Sequence, residues 1–355
     1  MLEVLPRSEA TVQEPDRFGD APHPREVLSL IGHDEAEAEV LAAIALGRLH
    51  HAWLITGEEG IGKATFAYRI ARALLAGAEH TTNPLQQGLA VPARSPAAHQ
   101  IAAHAHPDLA VIRRGLSDDR KRVLTEISVK AALEGLELFQ KTAAYGGYRI
   151  CIVDACDELN ANSANALLKT LEEPPERSLF LLVAHQPGRL LPTIRSRCRH
   201  LPLRPLTVDE VEQVTRGLPH VADVEPPVHR RAAELSGGSV RRALSMLDPK
   251  KLAFNDRVEA LLNGLPRLQM ADVDAIAEAT MGRAGDESFD RFCDLCVDWL
   301  SRELKRRPPR VTADMPLAEA WTALSDGRIE VEALNLDRRP FVIATVAALA
   351  GTFGR

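Results

Sequence analysis

Apolar positions along the chain change period several times, and each change marks an element. Ala36, Val40 and Ile44 recur every four residues, which lines up one apolar stripe and predicts a helix over 34–46, with Gly47 as its stop. Residues 51–56 read as a short buried strand, 57–62 as a glycine-punctuated loop, and 64–76 as a helix rich in Ala, Leu, Ile and Phe. Strand, glycine loop and helix in that order form a phosphate-binding unit. Further strands are predicted over 109–112, over 149–153 leading into Asp154, over 179–184 and near Leu201. Helices are predicted over 125–141 and over 163–171, the second stopping before Pro174 and Pro175. A turn and short helix fill 192–199. Strands that are apolar throughout and alternate with helices imply an α/β fold, a parallel sheet covered by helices on both faces.

From Leu206 the pattern changes to short helices. Thr207 and Glu210 have capping-box spacing, and Ser239 can cap a helix over 240–247. These features predict a nucleotide-binding-fold domain over 26–204, a helical lid over 205–250 and an all-α domain over 251–355. A loop is expected near 306–316, where Pro308, Pro309 and Pro316 fall. Residues 1–25 are mostly polar, carry Pro6, Pro15, Pro22 and Pro24, and read as a flexible tail. Residues 80–106 read as an irregular insertion. No internal repeat is found.

Composition narrows the function. The 355 residues are enough for two or three domains, and a hydrophobic fraction of 45% supports a sizeable core. Aromatic residues make up only 4%, which argues against a base-stacking platform. A net charge of −6 makes the chain a poor solitary ligand for DNA, whose non-specific affinity comes from neutralised phosphates. Five irregularly spaced cysteines do not suggest a disulfide framework. Cys293 and Cys296 fall in a helical pattern with Phe289, Phe292, Leu295 and Trp299, and read as buried small side chains. No stretch has the character of a signal peptide or the roughly 18 apolar residues of a membrane helix. A cytoplasmic protein without membrane association is expected.

The chemistry centres on the glycine loop. Gly57, Gly60, Gly62 and Lys63 match the phosphate-loop pattern, in which backbone N–H groups curl around phosphate oxygens and the lysine adds positive charge at a helix N-terminus. The pattern then calls for Ser or Thr to hold magnesium, and here Ala64 stands. Thr65 follows about 100° further around the helix and is expected to point elsewhere. The strand over 149–153 ends in Asp154, the acid that would hold magnesium, but the next residue is Ala155 where a water-activating Glu is expected. Loss of the base alone costs on the order of 10² to 10⁴ in rate. Asp157 and Glu158 are displaced in sequence, and a shifted backbone would be needed for Asp157 to substitute.

Four blocks carry a resemblance to a known family: LHHAWLITG at 49–57, GIGKAT at 60–65, NALLKTLEEPP at 165–175 and LLPTIRSRC at 190–198. Over about residues 31–247 the chain resembles the delta prime subunits of the bacterial DNA polymerase III clamp loader, an AAA+ family. The resemblance implies a P-loop AAA+ module, a lid, and a helical collar that holds a ring of five subunits. It implies a hetero-oligomer with gamma/tau ATPase subunits and the delta subunit. That assembly would act on a sliding clamp and on primer-template DNA reached through the complex. Within the family, Ser196-Arg197-Cys198 presents an arginine to the ATP of a neighbouring subunit, so Arg197 is the candidate finger; Arg195 and Arg199 read as surface arginines. Arg241, in the block 238–244, matches the position that faces nucleotide across the lid, and a structural role is an equal alternative for it. Whether ATP or ADP occupies this chain's own loop stays open. Many members carry a four-cysteine zinc module after the phosphate-loop helix, but 80–106 holds no cysteine, and His99, His104 and His106 do not make a closed site, so no zinc is expected.

The function implied is a non-hydrolysing end piece of the loader, part of the polymerase holoenzyme but without phosphodiester chemistry of its own. Two alternatives stand beside it. One is an ATP-hydrolysing gamma/tau-like subunit or another AAA+ ATPase, against which Ala64 and Ala155 argue. The other is a DNA-binding initiator or helicase loader, for which the cluster Arg302, Lys305, Arg306, Arg307 and Arg310 is the only support. Pro308 and Pro309 interrupt that cluster, which reads as a solvated loop.

Overall fold

The computed structural model describes residues 2–5, 14, 16–76, 88–116, 123–282, 285–306, 311–334 and 336–353. It divides into two compact units, Met1–Leu244 and Ser245–Arg355. No helix among the described residues is long and apolar enough to cross a membrane.

The first unit is built on a sheet of five parallel strands: β1 (Ala52–Thr56), β2 (Leu109–Arg113), β3 (Arg149–Asp154), β4 (Ser178–Ala184) and β5 (Arg199–Pro202), in the spatial order β2-β3-β4-β1-β5. Successive side chains of a strand face opposite sides. Trp53, Ile55, Ile150, Ile152, Leu179, Leu181 and Val183 therefore enter one core with α1 (Asp34–Ala45) and α2 (Lys63–Leu75). Leu54, Cys151, Val153, Phe180 and Leu182 enter the opposite core. That core also receives α4 (Val129–Leu136) and α5 (Ala161–Glu172). Every residue of β4 is buried. The expected parallel sheet with helices on both faces is present.

Local signals explain the element ends. Gly47 turns α1 at φ 61°. The Asn160 side chain accepts from Ser163 N–H and starts α5. Two expectations need correction. The helix expected over 125–141 begins only at Val129, because Ile127 makes a parallel bridge to Leu159 and Ser128 caps the next turn. Residues 137–140 tighten into a 3₁₀ turn. Within the expected irregular stretch, Pro96 opens a helix, α3 (Pro96–Ala102), that buries Ala97, Ala98 and Ile101; residues 80–87 lie outside the described residues.

The tail expectation is also corrected for the described residues. Leu2 and Leu5 are buried, and Val4 bridges Val27. Glu14 pairs with Arg17 at 2.9 Å and with Arg25 at 2.5 Å, and Arg17 pairs with Glu26. His23 Nε2 lies 2.9 Å from Asp16 Oδ2, and Asp16 also pairs with Arg113 at the end of β2. A polar, proline-rich composition looks like a linker, yet here its charges find partners, one of them nearly a hundred residues away.

A short helix, α6 (Pro192–Arg195), precedes β5, and the short helices after that strand are α7 (Val208–Gly217), α8 (Pro226–Leu235) and α9 (Val240–Ser245). The lid segment up to Leu244 falls in the same compact unit as the sheet. The second unit contains α10 (Pro249–Asn263), α11 (Met270–Ala279), α12 (Asp286–Arg306), α13 (Val311–Leu334) and α14 (Arg338–Phe353). Phe289, Phe292, Cys293, Cys296 and Leu300 of α12 are buried in its core with Val342 and Val346. Part of the loop expected near 306–316 is helical: α12 runs to Arg306, α13 starts at Val311, and Pro316 lies inside that helix. Residues 307–310 lie outside the described residues. Arg302 and Arg306 of the basic cluster pair with Glu259 and Glu303.

The capping box at α7 is complete. Thr207 Oγ1 accepts from the Glu210 amide at 3.2 Å, and the Glu210 carboxylate accepts from the Thr207 amide at 2.7 Å. The hydrogen-bonded guanidinium of Arg204, against a smaller opposing effect of burial and with help from Thr207, holds the Glu210 carboxyl down to about 2. A carboxyl depressed in the folded state stabilises above its ordinary value and loses that contribution as pH falls through the folded one. Thr207→Ala is expected to cost about 1 kcal/mol. In thermal melts, the Tm gap between wild type and Glu210→Gln should be full at pH 7, narrow below pH 4.5 and close near pH 2.

Candidate functional site

A parallel sheet buried on both faces can expose polar groups only at its ends, and ligand sites of such sheets lie at the carboxyl ends of the strands. A cavity of about 250 Å³ opens there in the first unit. Gly60, Ile61, Gly62, Lys63, Ala64 and Thr65 line it, with Arg113 ending β2 and Arg114 after it, Asp154 ending β3 with Ala155 and Glu158 after it, and His185 after β4. Gly57 is part of the same loop. An added Cβ there would lie 2.7 Å from the carbonyl oxygen of Leu203. Gly57, Gly60 and Gly62 all have positive φ, a conformation that costs other residues strain.

Lys63 is buried, and its ammonium donates to the carbonyls of Gly57 (2.7 Å) and Glu58. Burial pushes it down to about 8, against the pull of Asp154. Burial pushes the Asp154 carboxyl up to about 7, reinforced by the neighbouring charge of Asp16 and opposed by Lys63. Asp16 itself lies well below the usual carboxylate range: burial opposes its ionisation, but the hydrogen bonds with His23 and Arg113 prevail.

The lid meets the loop directly. Ser239 Oγ donates to Glu59 O at 2.8 Å, and Val240 N–H donates to Gly60 O at 2.9 Å. Ser239 is fully buried, and its Oγ also accepts from the Arg242 amide, which caps α9 as expected. Arg241 sits 3.3 Å from Glu59 and lies over the Phe18 ring at 4.8 Å. The last residues of the supposed tail thus form one wall of the cavity, together with Pro22, Pro24 and Val27.

Of the residues singled out in the sequence, Gly60, Gly62, Lys63, Ala64, Thr65, Asp154 and Arg241 converge on this cavity. Thr65 lines it beside Ala64, contrary to the expectation that it would point away. Asp157 does not substitute for the missing base, since its carboxylate accepts from the amides of His185 (3.0 Å) and Gln186 (2.9 Å). Glu158 reaches the cavity but is paired with Arg114 at 2.9 Å. The loop and lysine fit the phosphates of a nucleotide. A magnesium ion is not matched, because Ala64 offers no oxygen where the hydroxyl ligand belongs. The cavity also balances its own charge: Asp16, Glu59, Asp154 and Glu158 face Lys63, Arg113, Arg114 and Arg241.

Asp16, Phe18, Arg113, Arg114 and His185 were not singled out in the sequence. Arg113, Arg114 and His185 follow apolar strands directly, a signal that was available. Asp16 and Phe18 carried none.

Arg197 lies apart from this cavity, after α6. It is about one-third exposed, donates to Thr193 O at 2.9 Å and pairs with Glu172 at 2.7 Å. Cys198 beside it donates its thiol to Ile194 O at 3.1 Å, and burial pushes that thiol up to about 12. Arg199 lies over the Trp53 ring at 4.7 Å and pairs with Glu39 at 2.8 Å.

Comparison with known proteins adds an independent line. The family model described as "DNA polymerase III, delta subunit" matches residues 32–207. DNA polymerase III subunit delta' of Pseudomonas aeruginosa is 31% identical over 258 residues, covering 72% of this chain and 73% of that protein. The chain belongs to the clamp-loader family of DNA polymerase III. DNA polymerase III subunit tau of Escherichia coli is as similar, at 32% identity over 72% of this chain, but the match spans only 39% of that longer protein. Among solved structures, a DNA polymerase III gamma subunit-related protein of Thermotoga maritima matches with a TM-score of 0.41 and 16% identity, covering 89% of this chain and 99% of that one. Membership in the clamp-loader family holds equally for branches named delta' and tau, so the role within the family rests on the site residues.

Gly60 carries the contact between loop and lid. It sits at φ +81°, and a methyl group there would collide with Ser239 Oγ and with Arg241 Cβ. Gly60→Ala is expected to cost on the order of 1–3 kcal/mol. Hydrogen exchange should show faster amide exchange at Val240 and Ala243, while the β3 and β4 amides stay protected.

Proposed function

We propose that this chain is a delta prime-type subunit of a clamp loader, a cytoplasmic member of a hetero-oligomer that does not hydrolyse ATP itself. The observation that carries this reading is the pair Ala64 and Ala155, which removes a magnesium ligand and a general base from an otherwise intact loop. The partners are ATPase subunits of the gamma/tau type and a delta subunit. The work of the assembly is to place a sliding clamp on primer-template DNA. ATP or ADP can meet the glycine loop through backbone N–H groups and Lys63, with Arg241 across the lid, but without a matched magnesium. The chain contributes to catalysis through Arg197, offered to the ATP of a neighbouring subunit. A guanidinium beside a transferring phosphoryl group offsets transition-state charge, an effect worth roughly 10³ or more in rate. The partly exposed position of Arg197, outside the chain's own cavity, supports that use.

The test is clamp- and DNA-stimulated ATP hydrolysis by the reconstituted loader. Arg197→Ala is expected to lower the rate about 10³-fold at that shared site with assembly intact. An unchanged rate removes the finger role.

The similarity to tau subunits favours a second reading, a hydrolysing subunit. The isolated chain separates the two. Its hydrolysis is expected at background and indifferent to Lys63→Ala; turnover that Lys63→Ala abolishes would restore the second reading.

A further inference from the structure

Arg197 is not free in this chain. Its Nη1 donates to Thr193 O at 2.9 Å and approaches Ser196 Oγ at 3.4 Å, and its Nη2 meets Glu172 Oε1 at 2.7 Å. Glu172 is the last residue of α5, and that helix is fixed firmly. Asn160 caps its start, and Leu167 and Leu171 are buried in the core under the sheet. The Glu172 backbone therefore has little freedom, while its side chain stays about half exposed. The carboxyl end of a helix also carries partial negative charge, which favours a cation placed there. Two electrostatic features thus draw the guanidinium back toward its own subunit.

The donors involved are the ones a phosphate needs. A guanidinium presents its N–H groups as a planar fork that suits a carboxylate or a phosphate equally well, but one Nη2 face cannot serve both at full strength. Its partner also decides how firmly it is held. An exposed pair of this kind changes an equilibrium by no more than about fivefold. A phosphate of higher charge, ordered by a neighbouring subunit, can displace it.

We propose that Glu172 is a positioning residue for Arg197: it holds the guanidinium against its own subunit until a phosphate group on an adjoining subunit takes over the same donors. The inference rests on the finger reading given above. It assigns to the loader a restraint on hydrolysis before the subunits close on one another, built from one carboxylate.

The experiment uses the reconstituted loader with ATP, with and without clamp and DNA, and compares wild type, Glu172→Gln, Glu172→Asp, Arg197→Ala and the Glu172→Gln/Arg197→Ala double variant. Glu172→Gln is expected to raise unstimulated hydrolysis by up to about fivefold and to lower KM for ATP, with the stimulated kcat unchanged. Glu172→Asp, which keeps the charge, should lie between Glu172→Gln and wild type. In the Arg197→Ala background Glu172→Gln should have no effect. A Glu172→Gln loader that behaves as wild type while Arg197→Ala loses activity overturns the restraint and leaves the finger standing. The same holds for a Glu172→Gln effect that persists without Arg197. An Arg197→Ala loader with full activity overturns the finger reading, and the restraint with it.

Discussion

Burial of the sheet on both faces is the constraint from which the rest of the first unit follows. Every residue of β4 is buried, and β1 and β3 are nearly so. A polar side chain placed along such strands without a partner is costly. Polar chemistry is therefore confined to where strands end and the chain turns. Lys63, Arg113, Asp154 and His185 each occupy such an end, and the parallel pairing of β1, β3 and β4 brings those ends to one edge. The order of the strands does the gathering; the individual side chains need only be short extensions of it.

At that edge two kinds of contact replace each other. The residues that would grip magnesium and activate water are alanines, and the cations nearby have acquired carboxylates of the same chain: Arg113 has Asp16, Arg114 has Glu158, Arg241 has Glu59. The buried Asp16 contact is shielded from water and the exposed Glu59 contact is not, so they differ in strength even though both neutralise an arginine. The membership of the clamp-loader family is compatible with either a working or a silent site.

Much of this was legible in the sequence, and the reasons are local. Fully apolar runs such as 179–184 admit little besides a buried strand once prolines and glycines bound them, so the sheet was readable. The glycine loop was readable because φ above zero leaves few residues to choose from. Thr207 and Glu210 were readable because a capping box is a spacing rule. The N-terminal segment was not. Asp16 is stabilised by Arg113 and Phe18 stacks against Arg241, partners nearly a hundred and more than two hundred positions away. Composition reports how many charges and prolines a stretch holds, and nothing in it says whether the fold brings those charges a counterpart. Thr65 was misjudged for a related reason: rotation about an ideal helix axis ignores that the cavity wraps around the first turn rather than touching one point of it.

The contacts from Ser239 to Glu59 O and from Val240 to Gly60 O join lid and loop through the chain's own atoms. A ligand can shift a conformational equilibrium only by its difference in affinity for the two states. Contacts present in both states cancel from that difference. Each hydrogen bond that lid and loop already make to one another is one that a bound molecule cannot add, so occupancy of the cavity has that much less to contribute to the position of the lid.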